Sequence, residues 1–200
     1  MSVATDWKLP TLVMQTYGTR NDWLYIGYIK TELNSAYCEP KAGEETNQLW
    51  AMQFRFGIPT AARIDGIEVQ INRLAGGENE SSDSVVQLMR TDVGLNDVQY
   101  APPLETATLL GSNQASGAAY PMELVTASYG GGTDRWGSAV SFADINANDF
   151  GLCYSFLNIG SSSSSSVRRV NVSYIKMRVW YTLADWFRYD VAPVMKVASR

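Results

Sequence analysis

The sequence predicts an all-β protein, a single jelly-roll-like β-sandwich with extended arms at its N- and C-terminal ends. Three observations lead there. Short stretches rich in aromatic and β-branched residues, about eight by the strand template, alternate with turn-forming segments. No long amphipathic helix interrupts them. Of 200 residues, 46% are hydrophobic and 18% charged, which suits one buried core in a chain of single-sandwich size. The expected division is an N-terminal arm over 1–22, the sandwich over 23–182 and a C-terminal arm over 183–200.

Met1 to Asp22 mixes Trp7, Leu9, Leu12 and Tyr17 without strand or helix periodicity, and is expected to be an ordered arm. Trp23 to Ile29 is aromatic and β-branched, a strand signal, and Pro40 and Gly43 punctuate the loop after it. Trp50, Met52, Phe54 and Phe56 alternate with Gln53 and Arg55, so the four apolar side chains are expected on one face. Ile67, Val69 and Ile71 alternate with Glu68, Gln70 and Asn72, another strand over Ile64 to Leu74. The polar stretch from Gly76 to Asp83 predicts a hairpin tip joining it to a strand at Ser84–Met89.

Further strands are expected at Ala107–Gly111, Met122–Ser128, Phe150–Leu157 and Arg169–Thr182, with a short helical turn at Phe142–Asp149. The serine run Ser161–Ser166 reads as a hairpin tip between the last two strands. In the last strand the parity Val170-Val172-Tyr174 gives way to Ile175-Met177-Val179-Tyr181, which predicts a β-bulge. After Thr182 the chain carries Trp186, Phe187, Tyr189, Val191 and Met195, too much apolar surface to leave in water. That tail folds back on its own sandwich or docks on another subunit, and docking is the expectation adopted.

The chain contains no histidine, which removes the usual general base, the Ser-His-Asp triad, the Cys-His dyad and the commonest zinc ligand. The carboxylates Asp134, Asp144 and Asp149 lie in turn-like segments where acidic residues serve as caps and turn formers. No catalytic residue, cofactor or metal is therefore expected. Glu78, Asn79, Glu80 and Asp83 lack calcium-loop spacing and read as solvated loop charge. Gly76-Gly77 and Gly130-Gly131-Gly132 lack the Lys-Ser/Thr that closes a phosphate loop. A net charge of -4 argues against nucleic acid, and Arg168, Arg169, Lys176 and Arg178 read as strand-face decoration. No apolar run is long enough for a transmembrane helix, no secretory signal is recognisable, and synthesis in a host cytoplasm is expected. Cys38 and Cys153 are expected as free thiols.

The middle of the chain resembles the jelly-roll domains of virion proteins of tailed bacteriophages. The resemblance runs from Phe56-Gly57-Ile58-Pro59 and Ile64-Asp65-Gly66-Ile67-Glu68-Val69 through Asp83-Ser84-Val85-Val86-Gln87-Leu88 and Gly111-Ser112-Asn113. It continues in Tyr129-Gly130-Gly131, Asp134-Arg135-Trp136-Gly137, Ala143-Asp144-Ile145-Asn146 and Asp149-Phe150-Gly151, and closes at Val179-Trp180-Tyr181-Thr182. It implies a non-catalytic structural protein of the virion. The arms then suggest a capsid decoration (cement) protein on the capsid surface, whose partners are the major capsid protein and copies of itself in a homotrimer. Trp7, Leu9, Leu12, Tyr17, Trp186, Phe187, Tyr189, Val191 and Met195 are the expected contacts. The alternative is a tail- or fibre-associated carbohydrate- or receptor-binding module, for which Trp136 and Tyr120 are the candidate sugar-stacking aromatics if they stand exposed at loop tips.

Overall fold

Alternation in residues 63–75 produces the strand around which the molecule is built. Ile67, Val69 and Ile71 are fully buried on one side, while Glu68 and Gln70 stand half-buried on the other. The computed structural model describes residues 1–16, 21–75, 81–91, 100–101, 107–160 and 169–183. Its strands are β1 (Val3–Ala4), β2 (Leu12–Thr16), β3 (Ala36–Cys38), β4 (Leu49–Met52), β5 (Arg63–Ala75), β6 (Ser81–Thr91), β7 (Tyr100–Ala101), β8 (Ala107–Leu110), β9 (Val125–Gly131), β10 (Phe150–Asn158) and β11 (Val170–Thr182). A 3-10 turn occupies Ile26–Lys30, and one short helix, α1, spans Phe142–Asn146. Among the described residues no helix is long and apolar enough to cross a membrane.

The strands form a β-sandwich. One sheet runs β3-β11-β5-β9, with β1 also pairing β11, and the other runs β7-β2-β4-β10-β6-β8. From β3 onward, leaving aside the two-residue β7, consecutive strands switch sheets at every step except β6 to β8. The four-stranded cores β3-β11-β5-β9 and β4-β10-β6-β8 interleave as two Greek keys, the jelly-roll arrangement. Between the sheets lie Leu49, Ala51, Ile67, Val69, Ile71, Val86, Leu88, Phe150, Leu152, Phe156, Ile175, Met177 and Val179. Each of these side chains larger than alanine contributes about 1.5–3 kcal/mol relative to exposure.

Several expectations need correction. Residues 1–16, expected as an ordered arm, are tied into both sheets: Val3 and Ala4 pair with Tyr181 and Trp180, Lys8 bridges Met177, and Leu12–Gln15 pair with β4. Burial of Leu12, Val13 and Met14 holds the segment down. Trp23 to Ile29 is not a strand. Trp23, Ile26 and Ile29 are buried while Leu24, Tyr25, Gly27 and Tyr28 are exposed, the three-residue period of a 3-10 turn. β5 and β6 do not form a hairpin, and neither do β10 and β11, because in each case the chain crosses from one sheet to the other. The serine run and most of the Gly76–Asp83 stretch lie outside the described residues.

Trp50 and Met52 do not share a face with Phe54 and Phe56. The first two point away from the main core, in a second buried cluster with Leu12, Met14, Met89 and Cys153. Gln53 and Arg55 adopt left-handed backbone (φ 59 and 53), which ends β4 and turns the stacked Phe54 and Phe56 into the main core. The bulge in β11 falls at Ser173, between Val172 and Tyr174, just ahead of the parity change that the sequence places after Tyr174.

A polar cluster closes one end of the core. Arg73 continues the inward parity of β5, and its guanidinium meets Asp83 of β6 at 2.8 Å, with side chains 10% and 0% exposed. Tyr120 and Tyr129 donate to the two Asp83 oxygens, Tyr120 also bonds the Tyr154 hydroxyl at 2.8 Å, and Arg73 lies 4.0 Å over the Tyr120 ring. Asp83 is thus a core residue and not solvated loop charge. At the opposite end Arg90 pairs with Asp144 and Asp149, each at 2.8 Å, tying α1 to β6. Ser141 and Asp144 form a capping box at the start of that helix.

Candidate functional site

The outward parity of β5 and β11 supplies the most distinctive open surface among the described residues. Glu68, Gln70 and Asn72 on β5 lie beside Arg178, Lys176 and Tyr174 on β11, and Thr126 and Ser128 on β9 extend the grid. Strand pleating sends these side chains outward because Ile67, Val69, Ile71, Ile175, Met177 and Val179 take the opposite parity into the core. The surface runs from Asn171 to Trp180, about 30 Å at 3.3 Å per residue.

An aromatic cluster marks one end. Tyr37 projects outward between the buried Ala36 and Cys38, Tyr25 packs on it at 5.8 Å, and Tyr25 and Tyr28 stack at 5.8 Å with 25° between their planes. Tyr25 is 60% exposed and Tyr28 39% exposed, although bulky rings normally withdraw from water. Tyr25 also holds left-handed backbone (φ 58), which costs a non-glycine residue about 1–2 kcal/mol.

Beside this cluster lies a cleft of about 550 Å³ walled by Glu32, Leu33, Asn34 and Leu124 and floored by Ser35, Asn72, Ser173 and Tyr174. Ser35 and Ser173 share a hydrogen bond of 2.8 Å, the Asn72 amide donates to Thr126 Oγ1 at 3.0 Å, and Thr126 also bonds the Tyr174 hydroxyl at 3.0 Å. The floor therefore offers amide and hydroxyl groups, while Leu33 and Leu124, 82% and 54% exposed, offer apolar walls. Farther along β11, Lys176 pairs with Glu32 at 2.6 Å and Arg178 with Glu68 at 2.7 Å. The Arg178 guanidinium sits between Trp7 and Trp180, 4.5 and 4.3 Å from their ring centroids.

The expected contact residues are distributed differently. Trp7 stacks on Arg178 of its own domain, Leu9 is half-buried, and Leu12 is buried in β2. Tyr17, Trp186, Phe187, Tyr189, Val191 and Met195 lie outside the described residues. The two aromatics proposed for sugar stacking are not available for it, because Trp136 and Tyr120 are fully buried. Trp136 Nε1 donates to Ile67 O at 2.9 Å, and Tyr120 belongs to the Asp83 cluster. Of the carboxylates, Asp134 accepts from Trp136 N, while Asp144 and Asp149 are ion-paired to Arg90. Backbone and side-chain hydrogen bonds from Ser141 hold Asp144 below the usual carboxylate range.

The sequence reading missed Tyr25, Tyr28, Tyr37, Asn72 and Tyr174. The available signal was the outward phase of β5 and β11, where every second residue is an amide, a charge or an aromatic ring with a polar atom.

No protein-family model matches the chain, and no curated protein does. Among solved structures it is similar to the N-terminal cellulose-binding domain of β-1,4-glucanase C from Cellulomonas fimi, at 6% identity and a TM-score of 0.36 over 89% of each chain. It is similar also to a family 29 carbohydrate-binding module from Piromyces equi, at 10% identity and a TM-score of 0.33 over 92% of this chain and 93% of that one. Likeness at this level carries no argument about ligand.

Proposed function

We propose that this chain is a non-catalytic carbohydrate-binding module whose ligand face is the outer surface of the β3-β11-β5-β9 sheet. In the setting the phage resemblance implies, it would serve a particle as a receptor-binding part. The observation that carries the reading is exposed tyrosine rings beside a cleft floored with amides and hydroxyls. Sugars present flat apolar ring faces and many hydroxyls, so rings to stack on and side-chain amides to hydrogen-bond answer both. The capsid decoration role drew its mechanism from two apolar arms. Trp7 and Leu12 are engaged within their own domain, which takes two of the N-terminal contacts away from that mechanism.

A glycan array probed with the purified chain tests the proposal. Specific binding that is lost in Tyr25→Gly and weakened in Tyr174→Phe, with circular dichroism unchanged, supports it. Absence of binding across the array overturns it, and antibody label spread evenly over phage heads would then favour decoration.

A further inference from the structure

Three cations on this face are already matched. Arg178 is paired to Glu68, Lys176 to Glu32 and Arg169 to Glu39, at 2.6–2.7 Å. Each also lies over a ring: Arg178 between Trp7 and Trp180, Lys176 4.5 Å from Tyr174, and Arg169 4.1 Å from Tyr37. A carboxylate or sulfate arriving here finds no unmatched cation among these three and meets the carboxylates of Glu32, Glu39 and Glu68. To reach a guanidinium or ammonium it must displace a carboxylate that is covalently tethered beside it. The net charge of -4 adds no long-range attraction.

The groups left for a ligand are uncharged. Asn34 brings an amide, and Tyr25 and Tyr28 bring rings. Ser173 and Tyr174 bring hydroxyls that each share one hydrogen bond, with Ser35 and Thr126, and keep a further lone pair for a ligand, while the buried Asn72 fixes Thr126 beneath them. We infer that the face selects neutral glycans, read through hydroxyls and ring faces, and discriminates against uronic-acid-bearing and sulfated ones. This rests on the carbohydrate reading above and adds to it the class of sugar, with like-charge exclusion as the source of specificity.

Matched sets of neutral, carboxylated and sulfated oligosaccharides of one backbone, titrated into the purified chain by calorimetry, test the inference. The neutral member should bind at least about tenfold more tightly than either acidic member, the discrimination expected of like-charge placement. Its Kd should change by less than about twofold between 50 and 500 mM NaCl, because no net charge is exchanged. In Glu68→Gln the Arg178 guanidinium loses its partner, and the acidic-to-neutral affinity ratio should rise. Equal or tighter binding of the acidic members, or a ratio unmoved by Glu68→Gln, overturns the inference while leaving the carbohydrate reading in place. Failure of every member on the array and in the calorimeter removes that reading and this inference together.

Discussion

Replacing Asp83 with alanine removes the carboxylate that pairs with the buried Arg73 guanidinium. With side chains 10% and 0% exposed, the pair is far from the surface regime in which ion pairs contribute little. Breaking such a pair from one side leaves an uncompensated buried charge and destabilises by about 3–5 kcal/mol. Tyr120 and Tyr129 also lose their acceptor, and a stranded buried hydroxyl costs about 1–3 kcal/mol. Tyr120 keeps its bond to Tyr154, and the terms share one network, so they do not add fully. The expected loss is about 4 kcal/mol or more, against a total of about 5–15 kcal/mol for a domain. Urea unfolding followed by tryptophan fluorescence at pH 7 measures it. The double variant Arg73→Met with Asp83→Leu removes both charges and should lie within about 2 kcal/mol of the parent. A loss below about 1 kcal/mol in Asp83→Ala, or a double variant less stable than the single one, would refute the account of this cluster.

Other outcomes follow from the same structure. Tyr25→Gly relieves left-handed strain, so stability by urea melt should hold or rise by up to about 1 kcal/mol, while glycan binding disappears. Burial pushes the Tyr120, Tyr129 and Tyr154 hydroxyls above the ordinary tyrosine value. A proton held more tightly in the folded state stabilises it fully below the unfolded value, about 10, and that stability falls as pH rises past it. Phenolate absorbance at 295 nm should therefore show exposed tyrosines titrating first and the buried three ionising together with loss of native circular dichroism. Burial pushes the Cys38 thiol up to about 12 and raises Cys153 as well, so neither should react with a disulfide reagent at pH 8 until urea unfolds the chain. Gly130→Ala places a Cβ 2.3 Å from Ile67 O and 2.4 Å from Trp136 Nε1 at φ +71, and should lose about 2 kcal/mol or more in a thermal or urea melt.

Much of this fold was legible where a single period governed the side chains. β5 and β10 came through because apolar residues occupy the inward phase, and the bulge at Ser173 because the phase itself shifts in β11. The Trp23–Ile29 segment failed because its aromatic and β-branched content imitates a strand, whereas the spacing Trp23, Ile26, Ile29 already carried the period of three. The two supposed hairpins failed for a different reason. A polar turn and two alternating strands are the same in sequence whether the second strand pairs with the first or crosses to the facing sheet. The candidate face was half legible: outward Glu68, Gln70 and Asn72 appear as polar alternation, but only tertiary structure brings Tyr25 and Tyr37 beside them. Arg73 was the overlooked clue. It shares the phase of Ile67, Val69 and Ile71, so an inward charge required a buried partner among the acidic residues that follow it, and Asp83 is that partner.

The position of β11 in its sheet governs how the molecule comes into being. β11 is the last strand described, yet β1, β3 and β5 all take their register from it, and Val3 finds Tyr181 only across nearly the whole chain. On the ribosome, the strands made earlier wait with an unfilled slot between them until residues near 182 emerge. Pairings of such long sequence separation slow folding and prolong exposure of unpaired edges. Chains cut before residue 170 should then accumulate as insoluble or degraded fragments rather than as smaller folded units.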